Sequence, residues 1–229
     1  MVALSLRAGD IGSYIPSSFI DWEGHVSAVL FLTGCNFSCP FCHNGYLVKG
    51  SPAALNEDLV IEHIISRAVF LDGVVISGGE PTLNPNKLKG LLLRFKEMGL
   101  PVKLDTNGSN PLALEELLSE GLLNAVAMDI KAPWDKYDML CGCDVDVSLI
   151  KRSLNMLLNC RLEVEFRTTF VPALLDYDDL HAIRGYLGKG ARWAIQRFNP
   201  EKAMDENLRR TNGPESEILR EKFPGVIIR

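Results

Sequence analysis

Cys35, Cys39 and Cys42 stand within the stretch GCNFSCPFCHN, Gly34 to Asn44, and no fourth cysteine lies near them. A closed tetrahedral metal site uses four ligands and a disulfide two, so three thiols packed this tightly match neither. Thiolates at i, i+4 and i+7 on a loop can wrap one corner of a cuboidal iron-sulfur cluster, binding three irons and leaving the fourth without a protein ligand. Zinc would look for a fourth donor, and His43 is the obvious candidate. His43 is the direct neighbour of Cys42, however, and adjacent residues rarely fold back onto one small ion.

The elements that must hold this loop follow from the apolar pattern. Val26 to Leu32 (VSAVLFL) is a buried strand ending at the cysteines. Asn56 caps a helix whose Val60, Ile61, Ile64, Ile65, Ala68 and Val69 recur with helical period. GVVISGGE (Gly73 to Glu80) is a second strand, and the helix after it carries Leu88, Leu91, Leu92, Phe95 and Met98 and stops at Gly99. PVKLDTNG (Pro101 to Gly108) is a third strand; Asn110-Pro111 then caps a helix that ends at Gly121. NAVAMDIK (Asn124 to Lys131), LEVEFRTTFVP (Leu162 to Pro172) and ARWAIQRFNP (Ala191 to Pro200) complete six strands, with helices from about Ser148 and around Leu180 to Leu187 between them. Such alternation predicts one α/β domain with a parallel sheet and crossover helices, curled or doubly wound.

Each strand delivers its unusual residues at its carboxyl end: the cysteines, then SGGE, DTNG, MDIK, RTT and QRFN. Singly these have ordinary explanations. Gly78-Gly79 could be a tight turn, Asp105 a cap, Lys131 a surface lysine. Together they converge on the edge where parallel α/β sheets place their sites.

Composition bounds the function. A formal charge of -5 gives no electrostatic footprint for nucleic acid, and 47% apolar residues suffice for a large core. MVALSLRAGD has no apolar segment of signal-peptide length, and apolar runs such as Ala28 to Leu32 fall far short of a membrane span. The expectation is a cytoplasmic protein with no membrane or nucleic-acid partner, in whose reducing surroundings the six cysteines are thiols or metal ligands.

At this point the residues carry a family likeness. The CxxxCxxC run of Cys35, Cys39 and Cys42, with Phe41 before the last cysteine, resembles the signature of radical S-adenosylmethionine (radical SAM) enzymes, and SGGEPTL (Ser77 to Leu83) matches the family's GGE motif. CHN (Cys42 to Asn44), LDTNGSNP (Leu104 to Pro111) and AMDIKAP (Ala127 to Pro133) look like the activating enzymes of glycyl radical proteins, most closely those of anaerobic ribonucleoside-triphosphate reductase. The resemblance covers about Val26 to Pro200, and implies a partial (β/α)6 TIM-like barrel in a single domain over 1–229, with 201–229 as a C-terminal extension.

The likeness also implies the chemistry. Cys35, Cys39 and Cys42 would hold a [4Fe-4S] cluster whose open iron is chelated by S-adenosylmethionine. Reductive cleavage would then give methionine and a 5'-deoxyadenosyl radical that takes the α-hydrogen of a glycine in the partner, by the likeness the anaerobic ribonucleotide reductase, with electrons from a flavodoxin- or ferredoxin-type donor. Lys131 and Arg167 join the cysteines as catalytic residues that meet the S-adenosylmethionine carboxylate or compensate nearby acids. Gly78 and Gly79 would let backbone approach the methionine part, with Glu80 holding that edge. Phe41, His43 and Asn107 are counted among the cofactor contacts. Asp105 and Asp129, beside Thr106 and the Met128 carbonyl, could hold a monovalent cation, as related activases suggest. Thr169, Gln196 and Asn199 would position ribose or adenine; activases of pyruvate formate-lyase tend to have histidine where this chain has Asn199.

Other features are plainer. Cys141, Cys143 and Cys160 read as ordinary thiols, since one residue between Cys141 and Cys143 is poor spacing for chelation. Between Cys42 and Gly78 there is no cysteine, so the ferredoxin-like insertion of some activases is missing and one cluster per chain is expected. Glu201 to Gly213 reads as a solvated loop. Two rival readings remain: a radical SAM enzyme acting on a small molecule, such as a 7-carboxy-7-deazaguanine synthase, and a non-catalytic iron-sulfur electron carrier.

Overall fold

The computed structural model describes residues 8–48 and 54–229. Residues 1–7, part of the N-terminal stretch read for a leader, lie outside them. A strand not foreseen comes first: β1, Ile11–Ser18, runs antiparallel to β2, Ser27–Leu32. The cysteine loop follows β2 and ends in a single helical turn, α1, Gly45–Val48. Strand and helix then alternate through α2 (Glu57–Arg67), β3 (Gly73–Gly78), α3 (Pro85–Glu97), β4 (Val102–Thr106), α4 (Pro111–Ser119) and β5 (Ala125–Asp129). A short α5 (Tyr137–Cys141) and α6 (Val147–Leu158) lead to β6 (Glu163–Phe170), α7 (Tyr177–Leu187) and β7 (Trp193–Arg197). The chain finishes with α8 (Ser216–Lys222) and β8 (Ile227–Ile228).

The eight strands of the described residues join one sheet in chain order, and every pairing from β2 onward is parallel. β1 and β8 are its two edges, so the parallel core is the partial TIM-like barrel expected, left unclosed. Local chemistry sets the helix starts. Asn56, Asn84 and Asn110 each accept a backbone N–H at 3.2 Å to cap α2, α3 and α4, and Pro85 and Pro111 occupy first-turn positions where no N–H is needed. Asp176 and Asp179 form a capping box at the start of α7.

Alternation along the strands separates two interiors. Leu30, Ile76, Leu104, Val126, Phe166 and Ile195 face the helices and form the main core. On the concave side, Trp22 from the β1–β2 turn packs with Val29, Val75 and Ala125 to floor the barrel at the amino ends of the strands. There Arg229 makes a bidentate pair with buried Glu165 at 2.7 and 3.0 Å, and Glu23 pairs with Arg229 and Arg192.

Three expectations are corrected. β1 escaped notice because IGSYIPSS has no apolar run; its Pro16 is tolerated on an edge strand. β8 is too short to leave a pattern. Glu201 to Gly213 is not simply a solvated loop: its Ala203 and Leu208 are buried in the main core, and the Asp205 N–H donates to the Pro40 carbonyl at 2.8 Å, against the cysteine loop. Among the described residues no helix is long and apolar enough to cross a membrane.

Candidate active site

The cysteine loop is pinned from several sides. The Gly34 N–H donates to Leu47 O at 2.7 Å, and the Ser38 N–H donates to Cys141 O at 2.8 Å. Gly142, at φ +64°, is required there, because a β-carbon would lie 2.4 Å from Ser38 O. The Cys143 thiol reaches Asn36 O at 3.5 Å. The Cys141-Gly142-Cys143 segment, read as ordinary thiols, backs the loop directly. A hydrogen bond from the buried Cys141 thiol, with Lys131 nearby, brings the Cys39 thiol down to about 7. Burial instead pushes Cys35 up to about 12, with a backbone N–H from Phe37 and the charge of Lys131 partly opposing it, and raises Cys42 as well.

The glycines behind the loop make a close approach to the chain itself. A β-carbon on Gly78, at φ +127°, would lie 2.3 Å from Leu32 N and O, and one on Gly79 would lie 1.9 Å from Gly34 O. Both glycines also line the cleft. Glu80 does not. Its carboxylate is 1% exposed; Oε1 accepts from Thr82 N (3.0 Å), Thr82 Oγ1 (2.6 Å) and Thr106 Oγ1 (2.8 Å), and Oε2 accepts from Asn107 N (2.6 Å). Expected to hold the edge of the site by charge-assisted bonding and counted as a cofactor contact, it holds that edge from beneath, tying the ends of β3 and β4 together, with its carboxylate turned away from the cleft.

Inside the barrel the charges form a ladder. Lys103 and Asp105 on β4 lie in register with Ala125 and Ala127 on β5, whose methyl groups leave room for β4 to reach β6. Arg167 on β6 uses two nitrogens: Nε donates to Asp129 Oδ1 at 3.0 Å and Nη1 to Asp105 Oδ2 at 3.1 Å. Lys131 Nζ donates to Asp129 Oδ2 at 2.7 Å and lies 5.9 Å from the centre of the Phe41 ring. Lys103 donates to the Asp21 carbonyl and stands 3.7 Å from Asp105 Oδ1. Burial opposes the Asp129 charge, but Lys131 and Arg167 outweigh it and hold the carboxyl at about 2. Burial likewise works against the charges of Lys131 and Arg167; Asp129, with Cys39 for the lysine and Asp105 for the arginine, keeps both above their usual range.

This arrangement differs from the expected cation site. Three side-chain cations already face the carboxylates of Asp105 and Asp129, so the pair has no net negative charge left to attract a monovalent ion. The remaining residues divide. Phe41, His43, Asn107 and Thr169 line the cleft, as does Gln196. His43 Nε2 pairs with the Asn199 carbonyl at 3.1 Å. Asn199 itself is exposed and outside the cleft lining; its side chain accepts from Glu201 N at 3.1 Å to cap the following turn. Sequence reasoning missed Asp21 and Ile20 in the lining, Cys141 behind it, and Lys103, which lines a small separate cavity at the barrel floor with Trp22 and Glu165. The K-x-D of β4 and E-x-R of β6 were legible as inward-facing pairs with period two.

Cys35, Cys39, Cys42, Lys131, Asp129 and Arg167 share one cleft of about 790 Å³. Among the described residues no three His, Cys, Asp or Glu side chains converge tightly enough to hold a metal ion. The three thiols line a common wall without meeting at a point. That donor set suits a polynuclear cluster, which brings its own bridging sulfides and takes one thiolate per iron, better than a single ion.

Comparison with known proteins agrees with this geometry. A family model described as the radical SAM superfamily matches residues 29–184. A Methanocaldococcus jannaschii protein named "Putative glycyl-radical enzyme activating enzyme" is 36% identical over 215 residues, covering 92% of this chain and 89% of its own. The 7-carboxy-7-deazaguanine synthase of Hyperthermus butylicus is 40% identical, but over 93 residues, 39% of this chain and 38% of its own. Among solved structures, Streptococcus suis SuiB bound to precursor peptide SuiA superposes with a TM-score of 0.65 at 14% identity, covering 83% of this chain and 42% of that one; this likeness concerns the fold.

Proposed function

The chain belongs to the radical SAM superfamily of oxidoreductases, and from that premise we propose that it is the activating enzyme of a glycyl radical protein. The observation that carries the reading is the single cleft lined both by the three thiols and by the Lys131–Asp129–Arg167 ladder. A relative named as a glycyl-radical enzyme activating enzyme matches 92% of the chain, whereas the deazaguanine synthase matches 39%, which favours a protein glycine over a small molecule as substrate.

In this reading Cys35, Cys39 and Cys42 hold a [4Fe-4S] cluster. When bound, the cluster supplies the electron that splits S-adenosylmethionine into methionine and the 5'-deoxyadenosyl radical, which takes the α-hydrogen of the partner's glycine. The chain's own residues bind and orient. Lys131, near enough to bias all three thiols toward thiolate, and Arg167 offer cationic partners to a carboxylate in the cleft. Asp129 fixes both cations in place. Gly78 and Gly79 form a flat ledge that Glu80 supports from below. Phe41, His43, Asn107, Thr169 and Gln196 shape the remaining wall around the adenosyl group. The likeness of LDTNGSNP and AMDIKAP favours anaerobic ribonucleoside-triphosphate reductase as the partner, served by a flavodoxin- or ferredoxin-type donor.

The test is an anaerobic incubation of the reduced, cluster-loaded protein with S-adenosylmethionine and candidate glycyl radical proteins. A glycine-centred EPR doublet on the reductase is expected, with 5'-deoxyadenosine as co-product. 5'-Deoxyadenosine without any protein radical, together with turnover of a deazapurine precursor, would transfer the assignment to the small-molecule reading. No 5'-deoxyadenosine at all would leave an electron carrier.

A further inference from the structure

We propose that Lys103 is a built-in counter-ion for Asp105, a positioning residue whose ammonium group stands where a bound monovalent cation would otherwise be needed. The proposal deepens the activase reading, since it concerns how that cleft keeps Arg167 in place. Asp105 is 7% exposed, and its Oδ1 is a buried oxygen with no hydrogen-bond partner. An ionised carboxylate in such a place needs a compensating charge. Oδ2 has one in Arg167 at 3.1 Å; the cation facing Oδ1 is Lys103, 3.7 Å away.

Lys103 is itself 5% exposed, which is rare for a lysine without a paired charge. Its ammonium is tethered by donation to the Asp21 carbonyl in the turn that floors the barrel. The tether holds it off Oδ1 while keeping it near enough to act electrostatically. A free cation placed on Oδ1 would sit within a few ångströms of both Lys103 and Arg167, and like charges that close repel strongly in a shielded interior. The alternation Glu165, Lys103, Asp105, Arg167, Asp129, Lys131 therefore balances itself from the floor to the cysteine loop. Removing Lys103 leaves Asp105 under-compensated, and Arg167, shared between Asp105 and Asp129, is drawn toward the lower acid.

The test compares the full-length, cluster-loaded wild type with Lys103→Met and Lys103→Arg, anaerobically and at constant ionic strength, in potassium, sodium and choline chloride. Two readouts are taken: the thermal midpoint without S-adenosylmethionine, and the equilibrium dissociation constant for it. Wild type and Lys103→Arg are expected to be indifferent to the cation in both. Lys103→Met should have its lowest midpoint in choline, regain part of it in potassium or sodium, and bind S-adenosylmethionine about tenfold more weakly in choline, a change equal to ~1.4 kcal/mol. A wild type that loses midpoint or affinity in choline overturns the proposal, as does a folded Lys103→Met indifferent to the cation. Should Lys103→Met fail to fold, the wild-type comparison decides alone: indifference supports the proposal and dependence overturns it. Because the midpoint is read without S-adenosylmethionine, failure of the activase reading would show separately, as absent 5'-deoxyadenosine.

Discussion

Gly79 and Gly34 touch so closely that a β-carbon on Gly79 would lie 1.9 Å from the Gly34 carbonyl oxygen, which heads the cysteine loop. The obstacle is backbone, so neither partner can rotate away. Gly79→Ala should therefore cost about 1–3 kcal/mol of stability, the usual range for overpacking, and lower iron content. Gly90 is the control: exposed in α3 with open space around its missing β-carbon, it should gain roughly 0.5–1 kcal/mol on substitution by alanine. Urea midpoints and iron assays of the two variants check this; equal stability for both would refute the contact.

The thiols differ in consequence. Cys39→Ala should fail to assemble a cluster, and Cys143→Ala, whose sulfur meets backbone at Asn36 and Ser38, should retain about four irons per chain. Iron and sulfide counting after anaerobic reconstitution reads this directly. Loss in both variants would break the ligand assignment, and about eight irons per chain would break the expectation of one cluster.

Asp129 makes stability depend on acid. Its carboxyl is held at about 2, below the ordinary 3.8, by Lys131 and Arg167. A folded value below the unfolded one adds stability that is complete above the unfolded value and lost as pH falls through the folded one, so the loss should run from roughly pH 4 to pH 2. Urea unfolding across that range should show a shallower decline in Asp129→Asn than in wild type. Parallel curves would mean that the pairs contribute nothing to folding.

Arg167 bridges two acids with two separate nitrogens, which a lysine cannot imitate. Arg167→Lys leaves one buried carboxylate without its partner and should destabilise by about 3–5 kcal/mol. Calorimetry with and without S-adenosylmethionine measures it, with weakened binding expected as well. A variant within about 0.5 kcal/mol of wild type, the scatter of ordinary surface changes, would show the bridge to be dispensable.

The sequence was most readable where period and chemistry coincide. The six strands from Ser27–Leu32 to Trp193–Arg197 were foreseen because each is either an apolar run or an apolar-polar alternation bounded by turn residues. Asn56 and the Asn110-Pro111 pair marked two helix starts by their chemistry alone. β1 was hidden because an edge strand pairs on one side only and can carry Pro16 and serines. Glu80 and Asn199 show a different limit: a motif gives a residue's neighbourhood, but whether its carboxylate or amide faces the cleft depends on which backbone N–H groups claim it first. Cys141 meets Cys39 only through tertiary packing, and no local spacing could announce it.

The clamp on the cysteine loop has a bearing on how the protein is made. Chains emerge amino end first, and the loop leaves the ribosome well before its Cys141 latch, and later still before Asp205, which holds Pro40. The cysteine segment is thus complete in sequence long before it is fixed in shape. Nascent chains should accept iron and sulfide only once translation has nearly ended, which shortens the interval in which a half-made polypeptide could carry a reactive, unprotected centre.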